Sequence, residues 1–116
     1  MPPRRAQLTP SRHRHRMPFV YILECRDGSL YVGSTWDMNS RVATHNAGFG
    51  SAYTRRPGRR PVRLVWSAAF DRIEDAFIRE KQIQGWSRAK RIALIEGRVE
   101  DLAELSRSKT PKPDVP

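Results

Sequence analysis

Cysteine is almost missing from this chain of 116 residues, with Cys25 the single thiol. One cysteine cannot close an internal disulfide, which argues against a stapled secreted scaffold and leaves a packed, inert side chain as the expectation. Long apolar runs are missing too. No stretch approaches the roughly 18 residues that a membrane span requires, and no apolar segment near the N-terminus resembles a secretory core. The cytoplasm is therefore the expected compartment. Acidic residues are scarce, with 12 Asp and Glu against 22 Lys and Arg, a net charge of +10. Between Asp37 and Asp71 there is no acid at all, while Arg41, Arg55, Arg56, Arg59, Arg60 and Arg63 fall inside that interval. A small domain with such a one-sign stretch attracts polyanions.

The length suits one compact domain with a modest core and is too short for two. Met1 to Arg16 contains five arginines, three prolines and no acid, a composition that predicts a disordered basic leader. His13 and His15 within it are expected to be solvated polar residues rather than a metal-binding pair. Met17 is a candidate start, because a foldable pattern begins only at Phe19. Ser106 to Pro116 contains three prolines and two lysines and is expected to be a second disordered tail. The expected folded unit is 17–105.

Phe19 to Leu23 is β-branched and aromatic, Arg26-Asp27-Gly28 reads as a turn, and Leu30 to Gly33 as a second strand. A three-residue hairpin loop ending on a left-handed glycine would set Cys25 opposite Ser29, Leu23 opposite Tyr31 and Tyr21 opposite Gly33. Tyr21 and Tyr31 then project from one sheet face as diagonal neighbours. A two-residue loop at Asp27-Gly28 would put them on opposite faces; the three-residue loop is the expectation. A helix should follow over about Trp36 to Asn46, capped by Ser34 or Thr35, with Gly48 just past its end. Arg41 and His45, four residues apart, lie on one stripe beside the apolar positions Met38 and Val42.

The run from Tyr53 to Pro61, with its Pro and Gly, predicts an extended loop. Arg55, Arg56, Arg59 and Arg60 are suited to phosphate oxygens, and Tyr53 beside them could stack on a base or bond a phosphate. Val62 to Phe70 reads as a third strand. Asp71 and Glu74 supply a cap for a helix over about Arg72 to Gln84, whose apolar stripe contains Ile73, Ala76, Phe77 and Ile83. Glu80 falls in the middle of that stripe. A carboxylate aimed at a core must be paired with a cation, neutralised or bound to a metal, so Glu80 is either a salt-bridge partner or a metal ligand. Gly85 should end this helix. Ser87 should cap another with Ala89, Ile92, Ala93 and Leu94 on its apolar face, and a last short helix should run from about Val99 to Ser106. The order predicts an α+β fold, a small α/β sandwich. Its three-stranded mixed or antiparallel sheet starts with an N-terminal hairpin, receives its third strand by a crossover and is flanked by three to four helices.

The ordered set Phe19-Val20-Tyr21, Tyr31-Val32-Gly33, Arg41, His45 and a helical Glu80, with Trp86-Ser87-Arg88-Ala89-Lys90 beyond, resembles the GIY-YIG nuclease family. The length of the chain and that last phrase look like those of the family's small stand-alone bacterial members, the UPF0213 group. Phe19 stands where the motif has its glycine, and no asparagine follows Glu80. The resemblance implies phosphodiester hydrolysis with one divalent ion, Mg²⁺ or Mn²⁺, and nucleic acid as the partner, DNA ahead of RNA. By position it implies that Tyr21 and Tyr31 handle the water and its proton, Arg41 clamps the phosphate, His45 assists, and Glu80 holds the metal. Which tyrosine is the base stays open. A binding module that keeps the fold without cleaving, and a protein-interaction scaffold, are the rival expectations.

Overall fold

The computed structural model describes residues 16–109. The chain forms β1 (Phe19–Glu24), β2 (Leu30–Thr35), α1 (Met38–Asn46), α2 (Ala52–Arg55), β3 (Arg63–Ala69), α3 (Ile73–Gln84), α4 (Arg88–Ile95) and α5 (Val99–Lys109). The strand order is β2-β1-β3. The hairpin has the register expected from its turn. Leu23 faces Tyr31 and Tyr21 faces Gly33. The Cys25 amide donates to the Ser29 carbonyl at 2.8 Å, and Gly28 takes the left-handed φ of 88° that closes a three-residue loop.

Both outer strands run antiparallel to β1, so the sheet is antiparallel and not mixed. The crossover through α1 and α2 exists, but it lands β3 on the far side of β1. β2 and β3 therefore run in the same direction without being neighbours. As the central strand, β1 is covered on both faces, which explains its nearly continuous apolar sequence. One face carries Val20, Ile22, Leu30 and Val32 against Ala76 and Ile83 of α3, with Trp86, Ile92, Leu94 and Ile95 packed around them. The other carries Tyr21, Leu23, Cys25 and Val62 against Met38, Val42, Tyr31 and Tyr53. Cys25 is buried and free.

Several boundaries differ from expectation. α1 starts at Met38 rather than Trp36, because Asp37, and not Ser34 or Thr35, accepts the capping bond, from the Ser40 amide. α3 starts at Ile73; Arg72 occupies its cap position without a side-chain bond, so Asp71 does not cap it. Phe77 leaves the apolar stripe and is half-exposed. The face that meets the sheet follows Ala76, Glu80 and Ile83, and Phe77 instead lies under the Lys81 ammonium. The predicted extended loop contains the one-turn helix α2, capped by Ser51. Ala89 and Val99 are exposed. There are five helices among the described residues, not three to four, and α5 continues to Lys109, into the segment expected to be loose. The rest of that tail, and the leader as far as residue 15 with His13 and His15, lie outside the described residues.

Candidate active site

Tyr21 and Tyr31 leave the same sheet face as the pleat requires, with ring centroids 6.3 Å apart. Space for them comes from Gly33. A Cβ there would sit 2.6 Å from the Tyr21 hydroxyl oxygen, so only glycine leaves the phenol in place. Tyr21 is buried, whereas Tyr31 is partly exposed and packs on Tyr53 at 5.6 Å.

α1 brings Arg41 and His45 over this face. His45 is fully buried, and both ring nitrogens are bonded. Nε2 lies 2.9 Å from the Tyr21 hydroxyl, and Nδ1 lies 2.8 Å from Thr54 Oγ1. The ring also meets Tyr31 with centroids 5.1 Å apart. Gly50 lies flat against the imidazole, where any Cβ would collide with Nδ1. Burial and the nearby Arg41 guanidinium push the His45 pKa down to about 4, so the imidazole is neutral at physiological pH. Burial, Tyr31 and Glu80 raise the Tyr21 pKa well above the ordinary phenol value, and Arg41 only partly offsets them. The resting pair is thus a neutral phenol bonded to a neutral imidazole. Arg41 is half-buried, its Nε donates to Thr35 Oγ1 at 3.4 Å, and it has no carboxylate partner among the described residues. Its charge is available to a ligand.

Glu80 is buried at 8% exposure and joins no ion pair among the described residues. Of its two expected environments the salt bridge is therefore not the one found. Ser34 Oγ donates to Oε1 at 2.7 Å and Gln84 Nε2 donates to Oε2 at 2.8 Å. Ser34 is on β2 beside Gly33, which puts the carboxylate at the open edge of the sheet, close enough for its charge to act on Tyr21. A carboxylate has about four lone-pair sites, so two accepted bonds leave capacity for a ligand. No group of three or more His, Cys, Asp or Glu side chains that could hold a metal occurs among the described residues. A hollow of about 260 Å³ along this edge is lined by Tyr31, Tyr53 and Gln84 together with Leu30, Val32 and Arg91. A larger hollow of about 350 Å³ under the hairpin turn, beside Cys25 and Val62, contains none of these groups.

The basic segment divides in two. Arg55 and Arg56 are exposed and have no acidic partner among the described residues, and Arg60 is half-buried with its guanidinium against Gly48. Arg59 is different. Its Nε donates to Asp27 at 2.9 Å, another nitrogen donates to the Tyr53 carbonyl at 3.2 Å, and its guanidinium lies 4.0 Å from the Tyr53 ring centroid. The structure uses Arg59 to pin the loop to the hairpin turn, so its guanidinium is less free for phosphate than those of Arg55 and Arg56. Thr54, Ser51, Gln84 and Gly50 were given no role from sequence, and Ser34 only that of a helix cap. Only the Ser51-x-x-Thr54 capping spacing could have hinted at the first two.

Residues 17–93 match the GIY-YIG catalytic domain, and the chain belongs to that family. The family sets it among endonuclease-type domains, with nucleic acid as the substrate class. Within the family its relatives are UPF0213 proteins. One from Staphylococcus haemolyticus is 45% identical over 80 residues, 69% of this chain and 95% of that protein. One from Staphylococcus aureus matches with the same identity and coverage. Among solved structures, the solution NMR structure of a protein from E. faecalis is 31% identical, with a TM-score of 0.50 over 70% of this chain and 84% of that one. The solution NMR structure of a UPF0213 protein from Bacillus halodurans is 41% identical, with a TM-score of 0.46 over 69% and 83%. No helix among the described residues is long and apolar enough to cross a membrane.

Proposed function

We propose that this protein is a divalent-metal-dependent endonuclease that hydrolyses nucleic-acid phosphodiester bonds, DNA ahead of RNA, in the reducing cytoplasm that its lone buried thiol suits. The observation that carries the reading is the buried Tyr21–His45 hydrogen bond beside an unpaired Arg41, with the Glu80 carboxylate bonded to Ser34 on the neighbouring strand and close enough for its charge to act on Tyr21. A single carboxylate with spare lone pairs fits Mg²⁺ or Mn²⁺, hard ions that keep several waters and bind through one or two carboxylates plus substrate phosphate oxygens. It does not fit a zinc site, which takes three or four protein ligands. When bound at Glu80, such an ion supplies charge stabilisation at the phosphate and lowers the pKa of a nearby water.

The chain's own groups do the rest. Arg41 offers its fork to the scissile phosphate, where negative charge grows in the transition state. Tyr21, with its raised pKa, does not store charge as a phenolate. It passes a proton on, taking one from the attacking water as its own moves to the neutral Nε2 of His45. Of the two tyrosines, Tyr21 is the one with a base bonded to it, and Tyr31 lines the approach. Arg55, Arg56 and Arg60 attract the backbone, and Tyr53 braces the loop that presents them.

Incubation with single-stranded, duplex and branched DNA and with RNA, in Mg²⁺ or Mn²⁺ and again with chelator, tests this reading. Cleavage that requires the ion is expected. Salt-sensitive binding without cleavage of any substrate would instead identify a non-catalytic binding module.

A further inference from the structure

His45 and Thr54 are both entirely buried, and His45 has no carboxylate in contact among the described residues. The groups facing its ring are Tyr21 on β1, Tyr31 on β2, Arg41 on α1 and Thr54 on α2. A proton received at Nε2 therefore has no counter-charge to hold it, and Arg41 repels it. The one group bonded at the opposite nitrogen is the Thr54 hydroxyl. Thr54 Oγ1 in turn lies 3.0 Å from Ser51 Oγ, and Ser51 Oγ also accepts from the Thr54 amide at 3.1 Å. Ser51 is only partly buried. Tyr21, His45, Thr54 and Ser51 thus form a continuous line from the candidate active centre toward the surface.

We infer that Thr54, backed by Ser51, is a positioning residue that fixes the tautomer of His45 and carries the proton away from it. The inference rests on the phosphodiesterase reading above. In the resting state the Thr54 hydroxyl donates to Ser51 Oγ, which has a second lone pair free, and accepts from His45 Nδ1–H. Nε2 is left bare to accept from the Tyr21 hydroxyl. During reaction the Tyr21 O–H bond breaks as Nε2–H forms, and the Nδ1–H bond breaks as that proton passes to Thr54 Oγ1. The former Thr54 hydroxyl proton moves to Ser51 Oγ, and the Ser51 proton goes to bulk water. Tyr21 regains a proton from the attacking water, which leaves a neutral Nε2–H ring and one proton in solvent. The leaving oxygen then takes a proton from Tyr21 as Nε2–H returns its own to Tyr21. Nδ1 recovers one from solvent through Ser51 and Thr54, which restores the resting tautomer. Orientation of an imidazole by a partner at its second nitrogen is a general device.

Thr54→Val removes the hydroxyl with little change of shape, and Thr54→Ser keeps it. In the parent protein, ¹⁵N NMR of His45 should show a protonated Nδ1 and a bare Nε2, and Thr54→Val should shift that tautomer balance. Single-turnover cleavage by Thr54→Val should fall at least about tenfold at unchanged KM, with a changed solvent isotope effect, while Thr54→Ser keeps most of the rate. A Thr54→Val protein as fast as the parent would overturn the inference, as would a parent with its proton on Nε2. Equal loss in both variants, accompanied by lower melting temperatures, would leave Thr54 a scaffold residue and also overturn it. A parent that cuts no substrate sinks the phosphodiesterase reading instead, and the tautomer spectrum then decides the role of Thr54 on its own.

Discussion

Replacing Glu80 with Gln separates chemistry from scaffolding, because the surroundings of this side chain define what the fold loses. Ser34 Oγ donates to Oε1 and Gln84 Nε2 donates to Oε2. A glutamine keeps the first bond through its amide oxygen. Its NH₂ group then faces the Gln84 NH₂ group, and Gln84 cannot simply turn over, because its amide also donates to the Val32 carbonyl at 3.2 Å. One charge-assisted bond is lost at a buried position, a cost of about 1.5 to 3 kcal/mol. For a domain of this size, each kcal/mol lowers the melting temperature by roughly 4 to 8 °C. Because no cation is paired with Glu80, the loss of about 3 to 5 kcal/mol that follows breaking a buried ion pair is not expected. Cleavage should behave differently. Removing this carboxylate should reduce the Mg²⁺-dependent rate at least about 100-fold, while nucleic-acid binding holds or tightens slightly as a negative charge leaves. Melting curves with and without Mg²⁺, run beside a cleavage assay, check both halves. A Glu80→Gln protein that melts lower yet cuts at the parent rate would refute the metal-site assignment.

His45 titrates at about 4 in the folded protein against an ordinary 6.5, so between those values the unfolded chain binds a proton that the folded one does not. The stability this supplies, about 3 kcal/mol at 1.36 kcal/mol per pH unit, is fully present above pH 6.5 and is lost as the pH falls toward 4. Denaturant melts should show that slope in the parent and a flatter one in His45→Gln; parallel curves would contradict the buried neutral imidazole. Asp27, held down to about 2 mainly by Ser29, loses its contribution only below about pH 4 and leaves the window clear. Gly50→Ala should displace the imidazole, reduce cleavage and cost about 1 to 3 kcal/mol of stability, and an unaffected enzyme would show that this contact has slack. Arg55→Ala with Arg56→Ala should lower the salt dependence of duplex binding by about two phosphate contacts without altering melting, whereas Arg59→Ala should lower melting and leave the salt slope nearly unchanged. The opposite pattern would exchange the roles given to these arginines.

Local features of this protein could be read from its sequence because local physics settles them. Gly28 at the end of a three-residue turn determines the hairpin register, and the pleat then puts Tyr21 and Tyr31 on one face. Helical spacing likewise sets Arg41 and His45 one turn apart and Glu80 inside an apolar stripe. What each polar group does was decided only by tertiary structure, because a hydrogen bond or ion pair depends on partners far away along the chain. Glu80 reaches Ser34 across 46 residues, so two neutral donors, and not the salt bridge that was one of its two expected environments, hold the carboxylate. Arg59 reaches Asp27 across 32 residues, which removes one cation from a run that counting treats as uniform. The antiparallel sheet has the same origin. A crossover can land on either side of β1, and only the packing of two different layers on the two faces of that strand selects the far side. Thr54 carried no signal of its own, since a hydroxyl on a one-turn helix is unremarkable until a buried imidazole is folded against it.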